Sequence, residues 1–182
     1  MTQHKEITLR PFRVADLPIW WALSYSPQAD LEWMKWNGPY FQDPVLSWQE
    51  FLEGFGGASI ELPDRQGIFL DENLVGMVSA YYEDGDLSRW LEVGIVLYDA
   101  AIWGQGVGRQ ALTQWLTFLF KRYPLPHIGL STWSGNERMM ALGERVGMQQ
   151  EARIRQVRYV NGQYYDAIKY GVLREEWEQH EN

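Results

Sequence analysis

The sequence contains no cysteine and only three histidines. The absence of cysteine excludes disulfide bonds, thiolate nucleophiles and zinc sites built on cysteine. The histidines, His4, His127 and His180, lie far apart in the chain, which also argues against a histidine metal site. We therefore predict that this protein uses no metal.

Long hydrophobic runs are also missing. No stretch approaches the roughly 20 apolar residues that a membrane-spanning helix requires. Residues 1–10 lack the apolar core of a signal peptide. These two absences predict a cytoplasmic protein without a membrane partner.

Basic residues are outnumbered by acidic ones, and the formal net charge is −8 at pH 7. An acidic surface repels nucleic acid, so we expect no nucleic-acid partner, and the same field favours a cationic ligand. The 182 residues are 46% hydrophobic, which is enough for one substantial core. We therefore predict a single domain over residues 1–182.

Hydrophobic periodicity and turn residues predict alternating strands and helices without internal repeats. A first helix is expected to start at Asp16, with Pro18 in its first turn. Ser47 and Glu50 form a capping-box pattern that opens a second helix, and Asn161-Gly162 predicts a hairpin. Segment 31–40 stays unassigned. The predicted strands are 7–12, 67–70, 74–82, 91–98, 127–133, 148–159 and 163–173, and further helices are expected over 107–121 and 136–146.

Three glycines, Gly104, Gly106 and Gly108, separate the apolar strand 91–98 from the helix 107–121. Glycines leave room for a ligand beside the backbone, and the start of a helix offers unsatisfied N–H groups with a partial positive charge. The order of strand, glycine loop and helix therefore predicts a site for a phosphate or pyrophosphate.

Two common phosphate-binding patterns do not fit this corner. A dinucleotide fingerprint requires a third glycine where Arg109 stands and an acidic residue about 20 positions later, where none is found near His127. A Walker loop requires a Gly-Lys-Ser/Thr sequence, which the chain lacks. What remains is a glycine corner followed by a second strand and a second helix.

Over nearly its whole length, the chain resembles the GNAT superfamily of acyl-CoA-dependent N-acetyltransferases, within it the branch of ribosomal-protein alanine N-acetyltransferases. The resemblance implies an α/β (α+β) fold whose mixed, mostly antiparallel central sheet is splayed between its middle strands, with helices on both faces. It rests on Trp103-Gly104-Gln105-Gly106-Val107-Gly108, Asn136 through Gly147-Met148, Leu9-Arg10-Pro11-Phe12, Asp16, Tyr165-Asp166 and Glu176-Trp177.

The resemblance implies acetyl-CoA as the co-substrate and assigns residues to it. The pantetheine arm would pair with the main chain of Ile95, Val96 and Leu97. Asn136 would hydrogen-bond the same arm, although its position equally predicts a helix N-cap, and both roles can hold together. The pyrophosphate would lie on the amides of Gln105, Gly106, Val107, Gly108 and Arg109, with the Arg109 side chain adding charge.

Acetyl transfer to an amine requires the amine to be neutral, and two carboxylates are candidate bases. Glu92 lies on the strand expected to carry the thioester and shares a face with Gly94 and Val96; the alternative is a rim carboxylate in a surface ion pair, because carboxylates at strand starts are usually solvated. Asp166 shares a face with Ile168, where burial would raise its pKa. The alternative for Asp166 is a structural carboxylate bonded to the backbone or to Arg153, Arg155 or Arg158.

Two positions depart from the family pattern. Trp103 replaces an arginine or glutamine, so one positive group fewer lies near the phosphates. Gly143 stands where many relatives carry the tyrosine that protonates the departing thiolate. Tyr159, Tyr164, Tyr165 or water would have to replace that tyrosine, or the thiolate would leave unprotonated.

The expected function is the transfer of an acetyl group from acetyl-CoA to a primary amine, directly in a ternary complex, since neither a cysteine nor a nucleophile elbow is present. A peptide N-terminus, a polyamine and a small-molecule amine all fit as acceptors, and a homodimer is left open. Two alternatives are an acyl-CoA-binding module without turnover and a nucleotide-binding structural protein. The candidate acceptor residues are Trp20, Trp21, Trp33, Trp36, Tyr40, Phe41 and Trp48, together with Asp30, Glu32 and Asp43.

Overall fold

The computed structural model describes residues 6–181, with seven strands and five α-helices in this part of the chain. None of these helices is long and apolar enough to cross a membrane. The strands are β1 Ile7–Pro11, β2 Arg65–Leu70, β3 Asn73–Tyr82, β4 Leu91–Leu97, β5 His127–Trp133, β6 Gln149–Val160 and β7 Gln163–Leu173. The helices are α1 Leu17–Ser24, α2 Trp48–Glu53, α3 Val107–Arg122, α4 Glu137–Arg145 and α5 Arg174–Glu181.

All seven strands form one sheet in the order β1-β2-β3-β4-β5-β7-β6. Every neighbouring pair is antiparallel except β4 and β5, which are parallel. The expected mixed, mostly antiparallel sheet is confirmed.

The sheet is splayed at its single parallel pair. β4 pairs with β5 only from Leu91 to Val93, opposite Ile128 to Leu130. Each strand remains fully paired on its other edge, β4 with β3 and β5 with β7. The second half of β4 therefore has a free edge that faces a gap, as the family resemblance implies.

Helices cover both faces of this sheet. Successive side chains of a strand point to opposite faces, so one strand contributes to the core on each side. Leu91 and Val93 of β4 belong to the core under α3, whereas Val96 belongs to the core with Trp20 of α1 and Phe51 of α2. The apolar face of α3 is fully used; its buried residues are Val107, Ala111, Leu112, Trp115, Leu116, Leu119 and Phe120.

Local sequence signals explain most of the element boundaries. Ser47 and Glu50 form the predicted capping box of α2. Asn161 and Gly162 both have positive φ, 48° and 84°, as the turn of the β6–β7 hairpin requires. The Asp16 side chain differs from the expectation: it accepts the N–H of Arg13 at 2.8 Å and stabilises the turn before α1 instead of capping α1.

Two segments were not predicted. Segment 31–40 contains a short 3-10 helix, Leu31–Lys35, followed by another at Pro39–Phe41. α5 follows β7 directly, and its Trp177 is buried in the core. Acidic residues in its first turn, Glu175 and Glu176, are a helix-start signal that could have revealed α5.

Candidate active site

A large cleft opens where β4 and β5 separate. Its volume of about 1880 Å³ exceeds the roughly 300–1,000 Å³ of ordinary small-molecule sites. The walls come from β2 to β7, from the start of α3, from α4, and from the two 3-10 helices between α1 and α2. A cleft of this size has room for two substrates at once.

The glycine corner forms one end of this cleft. Gly104 and Gly106 have φ of 76° and 85°, and open space lies where a side chain would begin at either position. α3 starts immediately afterwards at Val107, so the first N–H groups of a 16-residue helix point out of the corner. Gly104, Gly106, Gly108 and Arg109 line the cleft. The corner has the geometry of an anion site.

The free edge of β4 runs along the same cleft. The Tyr98 N–H donates to Val75 of β3 at 3.0 Å, while the Leu97 carbonyl turns away from β3 and accepts the Trp103 indole N–H at 3.0 Å. Because backbone groups alternate sides along a strand, those of Ile95 face the gap together with those of Leu97. The main chain of Val96 faces β3 instead, so Ile95 offers the open edge and Val96 only its side chain.

The other predicted cofactor residues divide into two groups. Ile95, Val96, Leu97, Gly106, Gly108, Arg109 and Asn136 line the cleft. Gln105 is exposed and Val107 is buried in the core at 2% exposure, and neither side chain lines the cleft. Their expected contribution is through main-chain amides, so the position of these side chains does not decide it.

Asn136 has the N-cap role that its position predicts. Its Oδ1 accepts the Met139 N–H at 3.1 Å, and its Nδ2 donates to the Trp36 carbonyl at 3.1 Å. The Trp133 indole donates to the same carbonyl at 3.0 Å. Asn136 thus ties the start of α4 to the 3-10 segment across the cleft.

Arg138 is a cleft residue that sequence reasoning missed. Its guanidinium lies 5.0 Å from the ring centroid of Trp36 and 4.9 Å from that of Trp103. Both aromatic contacts favour the cation and fix its position beside the glycine corner. Arg138 therefore places a positive charge next to Trp103, where the family pattern has arginine or glutamine. No local sequence pattern marks it.

Glu92 is buried in a polar cluster next to the cleft, with 1% exposure. Its carboxylate accepts hydrogen bonds from the Tyr81 hydroxyl at 3.2 Å, from the Ser131 hydroxyl, and from Lys169 Nζ at 2.7 Å. Tyr81, Ser131 and Lys169 line the cleft, so Glu92 connects to it through them. Burial contradicts the rim position in the alternative interpretation of Glu92, whereas the ion pair that this interpretation included is present, with Lys169.

Lys169 holds the charge of this cluster. It also contacts Glu83 at 3.0 Å and lies 5.1 Å from the ring centroid of Trp90. Burial opposes the charge on Lys169, but hydrogen bonds to Glu92 and Glu83 outweigh burial and raise its pKa. Sequence reasoning missed Lys169, although the period of two along β7 puts it on the face opposite Ile168.

Asp166 is placed differently from the expectation. It accepts the Gln156 N–H at 2.9 Å and pairs with Arg153 at 2.5 Å, and these bonds lower its pKa instead of raising it. It does not line the cleft, whereas Ala167 and Lys169, on the opposite face of β7, do. The structural alternative describes Asp166 correctly, because its partners stabilise the charged form.

The aromatic residues expected at an acceptor site separate into core and cleft. Trp33, Trp36, Tyr40 and Phe41 line the cleft, as does Glu32. Trp20 is fully buried and stacks on Phe12. Trp21, Trp48, Asp30 and Asp43 do not line the cleft.

The sequence matches the model of the family described as acetyltransferase (GNAT) domain over residues 6–149, which is most of the chain. This chain belongs to the GNAT acetyltransferase family. The match begins at the residue before β1 and ends at the first residue of β6, so it contains the glycine corner, Glu92 and α4.

Three known proteins illustrate the similarity. The chain is 31% identical over 112 residues to the Bacillus subtilis (strain 168) protein named "Putative ribosomal N-acetyltransferase YdaF", covering 62% of this chain. The match spans about 60% of the length of that curated relative. In structure, this chain is similar to a spermidine N-acetyltransferase from Vibrio cholerae solved with CoA and spermine (TM-score 0.74, 23% identity, 94% of this chain and 97% of that one). It is equally similar to aminoglycoside acetyltransferase AAC(6')-Ib solved with coenzyme A (TM-score 0.74, 15% identity, 97% and 100%).

Three tyrosines were predicted as possible replacements for the tyrosine that many GNAT members carry at the position of Gly143, and the structure places all three away from the cleft. Tyr159 and Tyr164 are exposed at the hairpin tip, Tyr165 packs against Trp133, and none of the three lines the cleft. A Cβ at Gly143 would point to the Tyr170 ring, 3.4 Å away. The tyrosines that line the cleft are Tyr25, Tyr40, Tyr81 and Tyr98.

Proposed function

We propose that this protein is an acyl-CoA-dependent N-acetyltransferase that moves the acetyl group of acetyl-CoA directly to a primary amine in a ternary complex. One observation carries the proposal: the free edge of β4 connects the glycine corner to the buried Glu92 cluster along a single cleft. Family membership supports the same activity.

The donor would bind mainly to the backbone. Its pyrophosphate would lie on the amides at the start of α3, where the helix N-terminus favours negative charge. Its pantetheine arm would add to the free edge of β4 at Ile95 as an extra strand. Arg138, held between two indole rings, would add charge next to the phosphates.

The chemistry would take place beside Ser131. The neutral amine attacks the thioester carbonyl, a C–N bond forms, and the C–S bond breaks. The ammonium proton passes to Glu92 through the Ser131 hydroxyl, which lines the cleft and already donates to the carboxylate. Lys169 stabilises the ionised carboxylate that this role requires.

The thiolate would be protonated by water or leave as the anion. Gly143 has no side chain, and the Tyr81 hydroxyl is bonded to Glu92. Burial and the neighbouring carboxylate raise the pKa of Tyr81, which makes it a weak acid at neutral pH. A thiolate is a stable leaving group in water, so the reaction does not depend on a tyrosine.

The acceptor would be a peptide N-terminus, a polyamine or another small amine. The similar proteins are named for ribosomal, spermidine and aminoglycoside acetylation, which are all reactions of amines. These names support the amine class and do not select one member of it.

The proposal is tested by release of CoA thiol from acetyl-CoA over a panel of amines. We expect turnover with at least one amine, and a drop in kcat of about 10²–10⁴-fold in Glu92→Gln, as is typical for the loss of a general base. Glu72→Gln, in the exposed β2–β3 turn, is the matched control. Unchanged kcat in Glu92→Gln would remove Glu92 from the mechanism.

A second candidate function is an acyl-CoA-binding module without turnover, which the missing tyrosine at Gly143 favours. It predicts binding of acetyl-CoA with no thiol released by any amine. Calorimetry with CoA and with ATP separates both enzyme and module from a nucleotide-binding protein, which would prefer ATP.

A further inference from the structure

Two arginines line the cleft without the carboxylate partner that a half-buried guanidinium ordinarily has. Arg65 and Arg158 are both partly buried, and no ion pair joins either of them to another of residues 6–181. The Nε atoms of both are buried and have no hydrogen-bond partner among the residues described. A buried cation without a counter-charge is costly, so these groups point to a ligand.

Arg65 is held in a fixed position. Its Nη1 donates to the Ser59 hydroxyl at 2.7 Å, and its guanidinium stacks over the Phe55 ring at 4.3 Å from the centroid. Tyr25 and Tyr98 border the same part of the cleft. Burial lowers the pKa of Arg65, and these two tyrosines compensate only in part.

Arg65 lies on the sheet face of Glu92. It is paired with Ser79 of β3, and Ser79 is paired with Gly94 of β4. Two strand spacings separate Arg65 from Gly94, a distance of roughly 10 Å between Cα atoms. Gly94 precedes Ile95, where the thioester arm is proposed to bind. An anion at Arg65 would thus be one small molecule's length from the reacting carbon.

Arg158 borders the cleft from the opposite wall, on β6. Its guanidinium lies 4.3 Å from the ring centroid of Tyr40 and 5.3 Å from that of Phe41. Like Arg65, Arg158 is held in place by aromatic rings. Its Nε atom has no hydrogen-bond partner among the residues described and lies beside the cleft.

The third cation on this side, Lys169, does not contribute free positive charge. Glu92 and Glu83 both bond to it. On the acceptor side of the cleft, the charge of Lys169 is therefore neutralised, whereas Arg65 and Arg158 have no counter-charge. This holds although the whole chain has a net charge of −8.

We infer that the acceptor carries an anionic group, a carboxylate or a phosphate, a few bonds from its amine, and that Arg65 binds this group. Arg158, on β6, is five strand spacings from Arg65 in the sheet order, so it adds positive charge to the cleft without contacting the same group. The inference rests on the proposed function and narrows its acceptor class. Polyamines and aminoglycosides, which are cationic throughout, are poor acceptors for this chain. Guanidinium groups pair with both anions through two parallel hydrogen bonds.

The test compares acceptors that differ only in the anion. O-Phosphoethanolamine against ethanolamine tests the phosphate, the peptide amide Ala-Asp against Ala-Asn tests the carboxylate, and spermidine represents the polycations. We expect at least a tenfold higher kcat/KM for the anionic member of one pair, which also identifies the anion. Equal or lower kcat/KM for both anionic members, or a preference for spermidine, would overturn the inference.

The arginine variants assign the effect. Arg65→Gln should lower kcat/KM for the anionic acceptor about tenfold or more and should reduce its ratio to kcat/KM for the neutral acceptor, whereas Arg158→Gln should reduce that ratio less. Arg155→Gln, an exposed position on the same strand as Arg158, is the matched control. Retention of the full preference for the anionic acceptor in Arg65→Gln would contradict the assignment.

Binding measurements distinguish a failure of this inference from a failure of the proposed transferase function. Calorimetry of the CoA-saturated protein with O-phosphoethanolamine and with Ala-Asp amide requires no turnover. Binding that Arg65→Gln weakens, without any turnover, supports the anion site while refuting the transferase. Turnover of neutral amines without binding of either anionic compound refutes the anion site alone. If the protein binds CoA but neither anionic compound, the anion site is also refuted.

Discussion

The two halves of the cleft are built in different ways. The donor half, from the glycine corner to Ile95, offers backbone: helix N–H groups and a free strand edge. The proposed acceptor half, around Glu92 and Arg65, offers polar and charged side chains from β2, β3, β4, β5 and β7 that are far apart in the sequence. Backbone geometry suits a donor whose phosphates and amide arm bind mainly to main-chain groups, whereas side chains can be exchanged to select an acceptor.

The largest effect is expected from breaking the buried pair of the acceptor half. Lys169→Met leaves the Glu92 carboxylate buried without its cation and should lower the free energy of unfolding by about 3 kcal/mol. Chemical denaturation measures this. The double variant Glu92→Gln/Lys169→Met should lose much less than the sum of the single changes; additive losses would show that the two side chains are not coupled.

In the donor half, Gly108→Glu should weaken acetyl-CoA binding by about 100-fold, because it introduces bulk and negative charge where the helix start faces the phosphates. Calorimetry with acetyl-CoA measures the change. Gln110→Glu adds the same charge to an exposed position of α3 outside the cleft and serves as the control. Equal affinities of the two variants would refute the placement of the phosphates.

A variant of Asp166 tests whether the acceptor half of the cleft extends to this residue. Its pKa is lowered, so its bonds contribute stability above the unfolded pKa of about 3.9, and that stability is lost as the pH falls further. Asp166→Asn should therefore show a smaller loss of stability between neutral and acid pH than the parent protein, with kcat unchanged. A reduced kcat at constant stability would return Asp166 to the catalytic candidates.

The smallest effect is expected at Gly143. Its missing Cβ would be in ordinary contact with the Tyr170 ring, so Gly143→Ala should stabilise the protein by about 0.5–1 kcal/mol through helix propensity. Gly135→Ala is a contrasting control, since a Cβ there would lie 1.9 Å from the Trp133 ring. Thermal unfolding of both variants checks the pair; destabilisation by Gly143→Ala would mean that α4 cannot accept the added methyl group.

Much of the donor half could be predicted because its signals are local. The spacing of Gly104, Gly106 and Gly108 and the apolar periodicity of α3 belong to one continuous stretch of the chain. The same holds for the capping box at Ser47 and the turn at Asn161-Gly162. Each of these patterns depends on residues no more than a few positions apart.

Most of the acceptor half could not be predicted. Lys169 and Glu92 are 77 positions apart, and Trp133 and Asn136 donate to a carbonyl about a hundred positions earlier. Asp166 shows the same limit: its strand face was predicted correctly, but the bonds from Gln156 and Arg153 that reverse the expected pKa shift depend on an irregularity in the pairing of β6 and β7.

The sequence by itself determined the family, the order of the seven strands and of the first four α-helices, and the corner that suits a phosphate, since periodicity, turns and caps act over short distances. The tertiary structure alone decided that β4 and β5 separate after Val93, that Glu92 is buried beside Lys169, and that Arg65 and Arg158 border one cleft. The reason is physical: burial and pairing of charges depend on which strands become neighbours, and this register is a property of the whole sheet.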